Sequence, residues 1–212
     1  MIKINIFFTA FLITLFAFGK SLSQDWFNYS DEEWFFSVNF PNEPEIEEII
    51  YASEWGGFYP GRVYTAEHNN HFYSLTAVNY NLDESVAYSQ LSDVLGTDDY
   101  PGLAIYDRKG SIAYAASNIR SRGVDITHDA WGHINFINGH QLHTINADNS
   151  ISHIGIYFHS NQDNINNNYL YILEGRSPEG YPPSFFNQSL EFLDENGKSI
   201  RYTGVDSSVR QR

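Results

Sequence analysis

The alternation of apolar and polar residues predicts β-strands along most of the chain. A hairpin is expected where 62–68 and 71–80 flank Asn69 and Asn70, because this pair tolerates positive φ. Both faces of 71–80 carry apolar residues, so this strand is expected near the middle of a sheet. The other predicted strands span 34–40, 45–52, 124–127, 133–137, 140–146, 153–160 and 169–174, with a last extended piece at 200–202.

Apolar residues at helical spacing predict the helices. The clearest case lies between Gly110 and Gly123, where Ile112, Ala116 and Ile119 recur on one side. A short helix is also predicted over 82–96, and a closing helix over 184–193. This order of elements indicates an α+β fold: a single domain, mostly antiparallel β-sheet, with two or three helices packed on one face.

The first 23 residues are predicted to be a cleaved signal peptide. Lys3 precedes an apolar run from Ile4 to Phe18, and Ser21-Leu22-Ser23 is a small-x-small triplet of the kind that signal peptidase recognises. Cleavage after Gly19 is an alternative. An uncleaved membrane anchor is another, although the apolar run is shorter than the roughly 20 residues that a spanning helix needs. The chain is therefore expected to be periplasmic or secreted, in a bacterium.

No linker or repeat divides the remaining chain, so 24–203 are expected to form one α+β domain. Within it, 24–33 are interpreted as a short acidic lead-in. The tail 204–212 is expected to be frayed.

Composition narrows the function classes. The 212 residues contain no cysteine, which excludes disulfides, Fe–S clusters, thiolate zinc sites and cysteine nucleophiles. The net charge of −14 argues against nucleic acid and, after signal cleavage, against a membrane as partner, because both bind basic surfaces. The serine-hydrolase motifs and the glycine-rich phosphate-binding motifs are also missing. The sequence therefore favours a role without catalysis.

Two stretches carry a resemblance to other proteins. The first is Phe36-Ser37-Val38-x-Phe40-Pro41-x-x-Pro44, and the second joins 169–174 to Phe185-Phe186-x-x-Ser189-Leu190-x-Phe192-Leu193-Asp194. These stretches resemble the start and the end of a group of uncharacterised exported proteobacterial proteins. The element plan is similar to the PsbP-type domain of photosystem II, which implies a binding or assembly accessory.

Six of the eight histidines lie between His128 and His159. No cofactor is predicted; a divalent metal held by these histidines is the alternative, whereas histidines on strands would otherwise be half-exposed and bond to their neighbours. His140 and His143 lie three apart and should point to opposite faces of a strand. His153 and His159 share a face but stand about 20 Å apart. A metal site would therefore need ligands from different strands. The candidate ligands are His128, Asp129, His133, His140 and His159.

Aromatic residues on turns offer a different candidate surface. Trp55, Phe58 and Tyr59 lie on a glycine-rich turn, and Tyr181 lies on a later proline-rich loop. Exposed rings can stack on a sugar or a peptide, whereas buried rings would close the ends of the sheet. The leading hypothesis is an exported non-catalytic α+β binding or assembly accessory module of the bacterial cell envelope, with an envelope protein or a small ligand as partner. The alternative is a metal-binding protein or metal-dependent hydrolase that uses the histidine cluster.

Overall fold

A computed structural model describes residues 26–54, 56–81, 108–160 and 168–203, and all structural statements below concern these residues. The strands are β1 (Phe27–Asp31), β2 (Phe36–Phe40), β3 (Glu45–Ala52), β4 (Phe58–His68), β5 (His71–Asn79), β6 (Asp125–Ile134), β7 (Ile137–Ile145), β8 (Ile151–Ser160), β9 (Asn168–Ser177) and β10 (Glu191–Phe192). The helices are α1 (Arg108–Arg120) and α2 (Ser184–Gln188). In the part of the chain that the structure describes, neither helix is long and apolar enough to cross a membrane.

The strands form two antiparallel sheets. The larger sheet has seven strands in the order β3-β4-β5-β9-β8-β7-β6, and the smaller has the order β1-β2-β10. The predicted β4–β5 hairpin is confirmed, with Asn69 and Asn70 at φ of 50° and 63°. β5 lies inside the large sheet, as its two apolar faces predict. The mostly antiparallel β architecture is thus confirmed.

One face of the large sheet packs against the small sheet and α2, and is called the α2 face. The ring of Phe36 in β2 lies 5.0 Å from that of Tyr64 in β4. Tyr171 of β9 is fully buried and donates a hydrogen bond from its hydroxyl to Trp34 O at 2.8 Å. Phe186 of α2 is buried in the same cluster. Burial of such large rings supplies most of the apolar area here.

The opposite face packs against α1 and is called the α1 face. Ile112, Ala116 and Ile119 are buried against Leu142 and Leu170 of the sheet, which confirms the predicted periodicity. The two described helices therefore lie on opposite faces, and the expectation that the helices share one face is wrong. The reason is that the central strands are apolar on both sides, so both faces require a cover.

Two element boundaries differ from the prediction. The supposed lead-in forms β1, because Tyr29 lies opposite Val38 and its ring contacts Phe40 at 6.1 Å. The closing helix is shorter than predicted and ends at Gln188. Ser189 then turns the chain away, accepting a hydrogen bond at Oγ from the Asn39 N–H at 2.9 Å, and β10 pairs with β2.

The segment 133–137 was predicted as one strand, but a turn lies at its middle. Asn135 and Phe136 have φ of 45° and 63°, and they join β6 to β7. β6 is a single strand with a bulge between Ile126 and His128, where two shorter strands were predicted. The predicted helix 82–96, the predicted signal peptide and the predicted tail lie outside the described residues.

Candidate ligand-binding groove

The aromatic residues predicted as a contact surface do not form one surface. Tyr59 is buried and stacks on Tyr80 with ring centroids 4.2 Å apart, so it belongs to the core. Phe58 and Tyr181 are exposed, at 56% and 75%. Trp55 lies outside the described residues.

Phe58 and Tyr181 lie at opposite ends of the large sheet. Phe58 begins β4, at the end where β5 meets Tyr169 of β9. Tyr181 contacts His153, whose strand partner on β9 is Gly175. Six residues of extended chain separate these ends by about 20 Å. Phe58 and Tyr181 therefore do not share one contact surface.

Two of the predicted metal ligands meet on the α1 face. His140 Nε2 lies 2.5 Å from Asp129 Oδ1. The Arg120 guanidinium donates two hydrogen bonds to the same carboxylate, at 2.7 and 2.8 Å. These bonds, with the smaller contribution of His140, hold the pKa of Asp129 well below its usual range. Arg120 therefore already supplies the positive charge that a cation would bring to this carboxylate.

The three other predicted metal ligands lie elsewhere. His128 is exposed on the α2 face, and the ring of His133 lies 6.1 Å from Phe136 at the β6–β7 turn. His159 is fully buried, with Nε2 2.6 Å from the Tyr202 hydroxyl. Across the described ranges, no group of three or more His, Asp or Glu side chains could hold a metal ion. The predicted five-residue ligand set is thus divided among separate places.

Four aromatic side chains instead form a continuous row on the α2 face. The centroids of His128 and His143 are 4.8 Å apart, and those of His143 and His153 are 3.8 Å apart with planes 16° from parallel. Tyr181 continues the row at 5.4 Å from His153. We call these four residues the ring row.

Strand register creates the ring row. His128 of β6 lies directly opposite His143 of β7, which lies opposite His153 of β8. Directly opposed residues on antiparallel strands share a face and stand about 5 Å apart, so their rings stack. His140 lies three residues from His143 and faces the other side, as predicted.

A groove of about 330 Å³ lies between the ring row and α2. Its walls include His143 and His153, the amides of Gln141 and Asn187, and the ring of Tyr157. Burial raises the pKa of the Tyr157 hydroxyl, which therefore stays protonated and accepts a hydrogen bond from Gln141 Nε2 at 3.2 Å. The groove thus combines ring faces with uncharged donors and acceptors.

The Tyr157 ring occupies its position because glycines lie beneath it. A Cβ at Gly139 would lie 2.2 Å from Tyr157 Cδ1 and 2.3 Å from Ile156 O. A Cβ at Gly155 would lie 2.8 Å from Tyr157 Cε2. Bare backbone at these two positions lets the ring lie flat across the sheet, which leaves space for the groove above it.

Two buried polar atoms of groove residues have no hydrogen-bond partner among the described residues: His153 Nε2 and Asn187 Oδ1. The amide of Asn187 is held in place at its other end, where Nδ2 donates to His153 O at 2.9 Å. An unsatisfied buried polar atom costs about 1–3 kcal/mol. Such atoms are more often tolerated where a ligand or water completes them.

A second lobe of about 480 Å³ adjoins the first and shares Ile134, Asn135 and Gln188 with it. Asn28 and Asn39 extend its amide-rich lining. The two adjacent lobes lie beside α2, and we refer to them together as the α2 groove.

The first lobe, in its described lining, lacks acidic side chains and the strongly basic Lys and Arg. Of the described residues that line it, none is Asp, Glu, Lys or Arg. Burial, with the neighbouring histidines, lowers the pKa of His153 to about 4, and burial and His128 lower the pKa of His143. Both rings are therefore uncharged near pH 7.

The sequence-based ligand set omits His143, His153, Gln141 and Asn187. One signal could have found His143. Counting outward from the Asn135-Phe136 turn pairs His128 with His143. The amides lie on separate elements, and no local pattern connects them.

Comparison with protein-family models, with curated proteins and with solved structures finds no match to this chain.

Proposed function

We propose that the chain is an exported, non-catalytic binding module of the bacterial cell envelope, and that the α2 groove is its ligand site. One observation carries the proposal. The groove is lined by the imidazole rings of His143 and His153 and by Asn187, and two buried polar atoms of these residues, His153 Nε2 and Asn187 Oδ1, lack a partner among the described residues. A ligand that reaches these atoms would remove their desolvation cost.

The polar groups of the groove support binding rather than catalysis. A histidine base is usually oriented by a carboxylate, and the described lining of the first lobe contains none. The close His–carboxylate pair, His140 with Asp129, lies on the α1 face and is occupied by Arg120. The groove therefore offers hydrogen bonds and ring faces without an activated nucleophile.

Export rests on the sequence of the first 23 residues. If they are a signal peptide, the protein recovered from a bacterial periplasm or culture medium begins at Gln24. Amino-terminal sequencing of that protein tests this part of the proposal. An intact Met1 in the membrane fraction would overturn it.

Binding is tested with ¹⁵N-labelled protein and a panel of small neutral, acidic and basic compounds, including saccharides and peptides. We expect one class of compound to shift the amide resonances of His143 and His153. Gln188→Trp should abolish the shifts, because Gln188 is exposed and lines both lobes.

Asn118→Trp is the matched control. It places the same ring at an exposed helical position on the α1 side, and should leave binding intact. If every class of compound leaves the spectrum unchanged, or if Gln188→Trp binds as tightly as the native protein, the α2 groove is not the ligand site.

A further inference from the structure

We infer that the α2 groove binds an uncharged oligosaccharide. This inference rests on the proposed function and names the chemical class of its ligand. Three properties of the groove carry it: neutrality, paired amides and exposed ring faces. Each is a property of the described residues on the α2 face.

Neutrality excludes an ionic ligand. The sequence holds 38 acidic and basic residues, 26 of them Asp or Glu, yet the described lining of the first lobe has none. The second lobe adds one acid and one base, Glu191 and Arg201. In the first lobe, a ligand group with a net charge would lose its hydration without gaining a counter-ion.

The amides match hydroxyl groups. Gln141, Asn187 and Gln188 each present a carbonyl acceptor and an NH₂ donor, and a sugar hydroxyl both donates and accepts. The imidazole of His153 adds one nitrogen that acts as donor or acceptor according to its tautomer. A hydroxyl-rich ligand can therefore exchange hydrogen bonds with these amides, and it completes the buried Asn187 Oδ1 and His153 Nε2 when their side chains rotate toward the groove.

Exposed rings lie beside each lobe. Tyr181 is 75% exposed at the end of the ring row, and Phe185 is 51% exposed in the lining of the second lobe. The ring of Phe185 is held edge-on by Trp26 at 5.5 Å. Flat apolar rings at the rim of a polar groove suit the C–H faces of a sugar.

The size and shape of the groove indicate more than one sugar unit. Its lobes of about 330 and 480 Å³ are adjacent and share Asn135 and Gln188 in their linings. Each lobe alone falls within the range of about 300–1,000 Å³ that small-ligand pockets occupy. A linear chain can therefore lie along α2 and occupy both lobes.

A peptide is the main competitor and fits less well. Extended peptides are commonly bound by adding a strand to an open sheet edge. The first lobe lies on the face of the sheet over β7 and β8, and each of these strands already pairs on both sides. In the first lobe a peptide backbone would therefore find no ladder to join.

The inference is tested by isothermal titration calorimetry with maltotetraose, cellotetraose and tetra-N-acetylchitotetraose, beside tetragalacturonate and an uncharged Gly/Ser/Asn peptide. We expect one of the neutral tetrasaccharides to bind. Tyr181→Ala and Gln141→Leu should each weaken it at least tenfold, which corresponds to about 1.4 kcal/mol. Asn118→Ala should bind like the native protein.

Tyr181→Ala keeps the test valid if Gln141→Leu fails to fold, because Tyr181 is exposed. If tetragalacturonate or the peptide binds, and Gln188→Trp abolishes that binding, the inference of an uncharged oligosaccharide is overturned and the proposed function stands. If nothing binds, both fall.

Discussion

His143 and His153 stack their imidazole rings face to face across β7 and β8, with centroids 3.8 Å apart. His128 lies on the other side of His143 at 4.8 Å. Burial, and the repulsion that would arise if two neighbouring rings both carried a proton, lower the pKa values of His143 and His153.

Acid should destabilise the fold through His153. Its pKa is about 4 in the folded protein, against about 6.5 in an unfolded chain. Between these values the unfolded chain binds a proton that the folded chain does not, so stability falls as pH drops from about 6.5 to about 4. Allowing for partial exposure, we expect His153 to contribute a loss of about 2 kcal/mol in the free energy of unfolding.

Urea denaturation near neutral pH and near pH 4.5 measures this loss. His153→Gln removes the titrating ring and should lose less stability over the same interval. Parallel losses in the native protein and the variant would contradict the assignment.

Gly139→Ala should destabilise the protein by about 2–3 kcal/mol, since the new Cβ would overlap the buried Tyr157 ring and the Ile156 carbonyl oxygen. Gly132→Ala is the matched control. Its Cβ meets the flexible end of Gln141 at 3.1 Å, which can move. Thermal unfolding of the two variants gives the comparison, and an equal change in Tm would show that Tyr157 does not require bare backbone beneath it.

Asp129→Asn should lower the free energy of unfolding by about 1–2 kcal/mol. The substitution breaks the two-pronged pair with Arg120, and leaves the buried His140 ring without its carboxylate. Asp125→Asn, at an exposed position of the same strand, should have little effect. The two variants can be compared by urea denaturation, and equal stabilities would mean that the Asp129 cluster contributes nothing.

Dialysis against a chelator should leave Tm unchanged. Of the five predicted metal ligands, only Asp129 and His140 meet, and Arg120 already pairs with their carboxylate. Differential scanning calorimetry compares the Tm of three samples: before dialysis, after dialysis, and after dialysis with added zinc. A lower Tm after dialysis that zinc restores would revive the metal hypothesis.

Local sequence patterns were sufficient to predict the elements whose structure depends on residues close together in the chain. The β4–β5 hairpin follows from Asn69-Asn70, and α1 follows from the spacing of Ile112, Ala116 and Ile119. β1 was not predicted because its residues Asn28, Ser30 and Asp31 are typical of turns, although it pairs with β2 in a local hairpin. The β6–β7 turn was not predicted because phenylalanine is uncommon at positive φ, and Phe136 is of a residue type that is typical of strands.

The candidate site was harder to predict than the fold. Alternation along β7 correctly separates His140 from His143, but it cannot show that His143 meets His153. That contact depends on the register of neighbouring strands. Asn187 reaches the groove from a short helix whose length the sequence overestimates. One chain offers no local signal for such convergence.

The small sheet has a consequence for the order of folding. β2 receives its partner β10 from the far end of the chain, and Asn39 and Ser189 are bonded across 150 residues. Contacts this distant in sequence form slowly, because the intervening chain must first be ordered. A growing chain that has not reached Phe192 cannot close the layer around Phe36. If the protein crosses a membrane as an unfolded chain, the late pairing of β10 with β2 keeps the chain incompletely folded, and so able to be translocated, until synthesis is nearly complete.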